Sequence, residues 1–180
     1  PNEYYKGALI HGITSMITDP HEIANVLGIK GIKLMMKLSE NLPLDFYFML
    51  SSCVPATNFE SSGAKLESND LLPLYNDNRV LGLAEVMSYP AVLNCEENMI
   101  NKIWDATEKG LVIDGHGAGF DETMINAYTT ANITTDHECH NKEEVIDRLR
   151  RGMYVLIREE TIEKNLSELI KATSIANSRR

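Results

Sequence analysis

Long apolar runs, paired cysteines and a basic surface are all missing from this 180-residue sequence. No stretch approaches the roughly 18 consecutive apolar residues of a membrane-spanning helix, and no charged-then-apolar leader opens it. Cys53, Cys95 and Cys139 are an odd count without a CxxC spacing, which points to a reducing compartment and no disulfide framework. Lys and Arg number 17 against 26 Asp and Glu, a net charge of −9 with a pI near 5.0. Nucleic-acid binding needs clustered basic charge, and the Arg pairs at 150–151 and 179–180 are small and interleaved with acids. Linkers, low-complexity tracts and charge blocks are absent too. The expectation is therefore one domain over 1–180, soluble and cytoplasmic, with neither nucleic acid nor membrane as partner. The first residue is Pro1 rather than Met, so the sequence is expected to start inside a longer chain.

What is present is a strict alternation of β-type and helical patterns. Pro1 to His11 carries little pattern. Residues 12–18 read as a strand, being β-branched and bounded by Gly12 and Asp19-Pro20. One helix is expected next, with Ile23, Val26, Leu27, Leu34, Met35 and Leu38 on its apolar face and Gly28 and Gly31 letting it approach a sheet. A strand over 45–50 runs into a polar loop, Ser51 to Gly63, the longest non-periodic stretch. A short helix around 70–75 precedes a strand over 80–86. Asn94 with Glu97 predicts a capping box for a helix bearing Met99, Ile100, Ile103 and Trp104, closed by Gly110. Strand 111–116, helix 122–131, strand 133–137, a helix capped by Asn141 with Glu144, strand 153–157 and helix 162–172 complete the pattern.

Six strand–helix units imply right-handed crossovers and a parallel sheet of α/β class, either open and doubly wound or part of an eight-fold barrel. Both designs place chemistry at the carboxyl ends of the strands. A closed (β/α)₈ barrel needs about 250 residues, so in that case about two units lie outside the sequence.

Three consecutive strands end on metal-competent side chains: Glu85, His116 and His137. Neighbouring strand ends lie about 5 Å apart, so three such side chains can converge on one ion. Imidazole nitrogen and carboxylate oxygen suit Zn, Mn or Fe rather than Ca or Mg. Asp136 and Glu138 flank His137, where a carboxylate can orient a ligand, act as a base or bind substrate. Otherwise Glu138 caps the next helix and Asp136 is a solvated turn residue. His21, Arg158 and Glu159 also sit at strand ends as pocket candidates, whereas helix capping accounts for Asp19 and Glu22. Cys139 and His140 lack the second pair a four-ligand zinc site needs. The glycines of Gly115-His-Gly-Ala-Gly119 fall out of step with a dinucleotide-binding turn, because Phe120 occupies the third position.

These residues in this order resemble the adenine deaminases of the amidohydrolase superfamily. The resemblance is carried by Thr18-Asp-Pro-His-Glu-Ile-Ala-Asn-Val26, Ser52-Cys-Val-Pro-Ala-Thr57, Val80-Leu-Gly-Leu-Ala-Glu85, Val112-Ile-Asp-Gly-His116, Asp136-His-Glu-Cys139 and Met153-Tyr-Val-Leu-Ile-Arg-Glu159. It implies an amidohydrolase-type TIM barrel, here incomplete, with about six of eight units and neither the first nor the eighth strand. It further implies a two-metal centre of divalent transition metal, Mn or Fe ahead of Zn, in the complete enzyme and partial or empty in this chain. Glu85 would be the bridging carboxylate after the fourth barrel strand, with His116 and His137 the ligands after the fifth and sixth. Glu138 would shuttle protons beside Glu85 as the second catalytic carboxylate.

The superfamily's His-x-His after the first strand is not in this sequence. Two local departures are Gly117-Ala118-Gly119, where Ala-Pro-Gly is usual, and Glu160, where Gly is usual. The implied activity is hydrolysis of adenine to hypoxanthine and ammonia in purine salvage, with this chain alone inactive and a homo-oligomer expected. Two other readings stay open: an amidohydrolase acting on a cyclic amide or different amino-heterocycle, and a non-catalytic half-barrel scaffold.

Overall fold

The computed structural model describes residues 1–57 and 59–178; Asn58, inside the expected loop, and the Arg pair at 179–180 lie outside them. Six strands form one sheet: β1 (Ser15–Thr18), β2 (Asp45–Ser51), β3 (Val80–Val86), β4 (Val112–Gly115), β5 (Thr135–Asp136) and β6 (Tyr154–Val155). Every neighbouring pair is parallel, and spatial order equals chain order. A doubly wound sheet requires the strand order to reverse at a switch point. This sheet has none, so it is the curling wall of a barrel, with helices on its outer face.

The helices are α1 (Asn2–Leu9), α2 (His21–Leu27), α3 (Ile29–Leu38), α4 (Ser68–Leu71), α5 (Tyr89–Leu93), α6 (Glu97–Glu108), α7 (Glu122–Thr130), α8 (Lys142–Arg150) and α9 (Leu166–Leu169). The stretch expected as one helix over 23–38 is two. Gly28 breaks it at φ +60°, a left-handed conformation that only glycine adopts without strain, and α2 then folds back on α3. The weakly patterned N-terminus is helical as α1. The capping box at Asn94 does not form: Asn94 ends the unforeseen α5, and α6 starts after Glu96. Trp104, placed on the buried face by its spacing, is 62% exposed. Asn141 does cap α8, accepting from the Glu144 amide at 2.9 Å.

Alternation within β2 aims Phe46, Phe48 and Leu50 at the helices, where all three are buried. Each contributes about 1.5–3 kcal/mol of transfer free energy to the layer between sheet and helices. The opposite face of the sheet is apolar but open: Ile17 is 61% exposed, Val112 45% and Leu156 51%. A smaller second cluster of Cys139, Val145, Leu169 and Ala172 packs α8 against α9 and the turn that follows it.

Candidate metal centre

At the carboxyl ends of these strands the polar side chains converge. Glu85 is the sixth residue of β3, His116 immediately follows β4, and His137 immediately follows β5. Oε2 of Glu85 lies 2.7 Å from His116 Nδ1 and 2.7 Å from His137 Nε2. The two imidazoles meet edge to face with centroids 5.6 Å apart. The backbone beneath Glu85 is pinned: Ser52 Oγ donates to its carbonyl at 2.5 Å, and the buried Lys102 donates to the Ser52 carbonyl at 2.7 Å.

Electrostatics follow from this packing. Burial alone would raise the Glu85 carboxyl, but the hydrogen bonds from His116 and His137 overcome it and hold the group well below the usual carboxylate range. The bond to Glu85 raises His116. Burial opposes charge on His137, and its bonds to Asp114 and Glu85 outweigh that to lift it to about 10. Glu85 thus favours positive charge on both imidazoles, at the spot where a cation would sit. One carboxylate oxygen and two imidazole nitrogens within 4.8 Å of one another fit a divalent ion.

A second group adjoins the first through Glu85. His21, at the start of α2, lies 3.7 Å by Nδ1 from Glu85 Oε1 and 3.0 Å from Asp19 Oδ2. That bond to Asp19 is the main reason His21 is raised to about 9. Asp19 is not the helix cap expected of it, because α2 has no side-chain cap bond; its Oδ1 accepts from Ser51 Oγ at 2.5 Å instead. Glu138 stands 3.9 Å from Nε2 of both His116 and His137 and is paired with Arg158. Arg158 also lies 3.5 Å from Glu160, so the bulky acid at the mouth of β6 has a partner.

Asp136 and Glu159 do not join the cluster. Asp136 is fully buried on the helix side, where its Oδ2 accepts from Nε of the equally buried Arg148 at 3.0 Å. Its Oδ1 accepts from the amides of Gly117 and Glu138 at 3.1 and 3.0 Å. It is neither solvated nor a turn residue. The glycine at 117 follows from this packing, since a Cβ there would lie 2.6 Å from Asp136 Oδ2. Glu159 is exposed and accepts from the Leu166 amide at 3.1 Å. Cys139 is buried in the second apolar cluster and is in neither group of converging ligand atoms; burial pushes its thiol up to about 12.

Asp114 is a site residue that sequence reasoning passed over. Its Oδ2 lies 2.8 Å from His137 Nδ1, and its Oδ1 accepts from the Thr135 hydroxyl. The signal was its place two residues before His116, which in a strand means the same face. Together with Asp19, Glu85 and His137 it edges a cleft of about 380 Å³ whose floor is the apolar Ile17, Met49, Val112 and Leu156.

Residues 1–179 match the amidohydrolase family. Over all 180 residues the chain is 51% identical to an adenine deaminase of Bacillus velezensis, covering 31% of that protein. Adenine deaminases of Bacillus subtilis and Clostridium acetobutylicum are each 49% identical over the same 180 residues, which are 31% and 32% of their lengths. The chain thus spans about a third of the length of the curated relatives it matches.

Proposed function

The chain belongs to the amidohydrolase family, and from that premise we propose that the complete protein hydrolyses adenine to hypoxanthine and ammonia. The relatives named adenine deaminase, about half identical across the whole chain, support the substrate. The observation that carries the chemistry is the meeting of Glu85 Oε2 with His116 Nδ1 and His137 Nε2 at 2.7 Å each.

The family implies a divalent metal centre. In this reading Glu85, His116 and His137 would hold it. The oxygen and nitrogen donors suit Zn, Mn or Fe, and the resemblance to adenine deaminases puts Mn or Fe ahead. When bound, such an ion makes water a competent nucleophile near neutral pH. The residues of this chain then manage protons. Adding water to C6 and expelling the amine requires one proton delivered to the ring and one to the departing nitrogen. Both come from the attacking water: Glu138, 3.9 Å from both imidazoles and steered by Arg158, takes them in turn and returns one to the ring nitrogen and one to the departing amine, which leaves as ammonia. The apolar floor of the cleft accepts the flat face of a purine, and His21, 3.7 Å from Glu85, and Arg158, paired with Glu138, are the candidate substrate contacts beside the centre. Purine salvage in the cytoplasm is the setting this activity fits.

The test is ammonia release from adenine by the complete protein reconstituted with Mn(II) or Fe(II), with loss on chelation. Turnover of a cyclic amide or another amino-heterocycle, and none of adenine, would overturn the substrate. The isolated 180-residue chain is expected to be inactive, because its strands supply the ligands of one side of the centre only; enzyme-like turnover by that chain would refute this.

A further inference from the structure

We propose that Asp114 is a positioning residue for His137, fixing which imidazole nitrogen is offered at the centre, and that Thr135 fixes Asp114 in turn. The inference rests on the metal-centre reading above and deepens it. It follows from strand geometry. Parallel pairing of β4 with β5 places Asp114 directly opposite Thr135, and the Thr135 hydroxyl donates to Asp114 Oδ1. His137 lies two residues beyond Thr135, on the same face, and so returns over Asp114 with Nδ1 2.8 Å from Oδ2. With its Nδ1 held by Asp114, His137 presents Nε2 at the centre, 2.7 Å from Glu85 Oε2, as the nitrogen that would face an ion there.

The two histidines differ in this respect. His116 presents Nδ1 to Glu85, and its other nitrogen has only the distant Glu138 at 3.9 Å. One ring is therefore locked in tautomer and orientation, and the other is held by its contact with Glu85. Asp114 bonds the nitrogen of His137 that faces away from Glu85 and is in neither group of converging ligand atoms, so it stands behind the ligand. A carboxylate behind a ligating imidazole raises the basicity of the ligand and removes the wrong tautomer.

The experiment measures Co(II) affinity of the complete protein by competition with a chelator, with the visible absorption band as the signature of coordination geometry. Asp114→Ala is expected to bind Co(II) about 10- to 100-fold more weakly, with an altered band. Asp114→Asn keeps an oxygen that accepts from Nδ1–H, so it should retain the band and lose less affinity. If Asp114→Ala and wild type bind equally with the same band, the inference is overturned; it is overturned as well if Asp114→Asn falls as far as Asp114→Ala. Should Asp114→Ala not fold, the isosteric Thr135→Val decides: a several-fold loss supports the relay and unchanged affinity refutes it. A wild type that binds no Co(II) at all would instead overturn the metal-centre reading beneath it.

Discussion

Replacing Asp136 with Asn should destabilise the protein far more than it disturbs the cleft. Around the Asp136 carboxylate stand Arg148 Nε at 3.0 Å, the Gly117 amide at 3.1 Å and the Glu138 amide at 3.0 Å. All three are donors, so the NH₂ of an asparagine must face at least one of them whichever way it flips. The change also leaves the Arg148 guanidinium without its counter-charge at a position with no solvent exposure. Nη1 of Arg148 already lacks a hydrogen-bond partner among the described residues, so little is available to compensate it. Breaking a buried pair in this way costs about 3–5 kcal/mol. At about 2–4 °C per kcal/mol for a domain of this size, the melting temperature should drop by roughly 6–20 °C. Arg148→Met should cost a similar amount, and the double variant less than the sum, because the residues share one interaction. Thermal and urea unfolding followed by far-ultraviolet circular dichroism measure this. An Asp136→Asn chain that melts with wild type would refute the reasoning, and loss of adenine turnover by the complete protein carrying that change would then return Asp136 to the substrate side.

Lys102 offers a pH test. Burial lowers it below its ordinary 10.5, so between its depressed value and 10.5 the folded state binds fewer protons than the unfolded, and stability rises with pH across that window. Lys102→Met should flatten the rise while changing stability near neutrality by only about 1 kcal/mol, since the lost bond to Ser52 offsets the relief of a buried charge; an unchanged slope in urea unfolding would count against it. The open apolar face predicts association of the isolated chain: light scattering should give a mass above 20.2 kDa, and Ile17→Lys with Leu156→Lys should reduce it to the monomer. A wild-type chain that scatters as a monomer would sink that expectation.

Much of this site was legible because it depends on local chemistry. Glu85, His116 and His137 are metal-competent side chains at successive strand ends, and a parallel βα order sends all strand ends to one rim. That much the sequence by itself determined. It also carried α8's cap, in which Asn141 reaches the Glu144 amide within a single turn.

Tertiary structure decided what depends on facing. Strand order alone separates a barrel wall from a doubly wound sheet, and order is a property of pairing between distant segments. β5 and β6 are two residues each, too short for alternation to announce a face. Only once His137 is seen to turn inward does its neighbour Asp136 have to turn outward, to Arg148 twelve residues away. Asp114, which resembled an ordinary polar residue in a strand, acquired a partner through its register against Thr135. Asp19 likewise had the residue type of a helix cap, and Ser51 on the adjacent strand claimed its side chain instead. Residue type and spacing determine what a side chain can do, and the sheet's pairing determines which side chains it does it with.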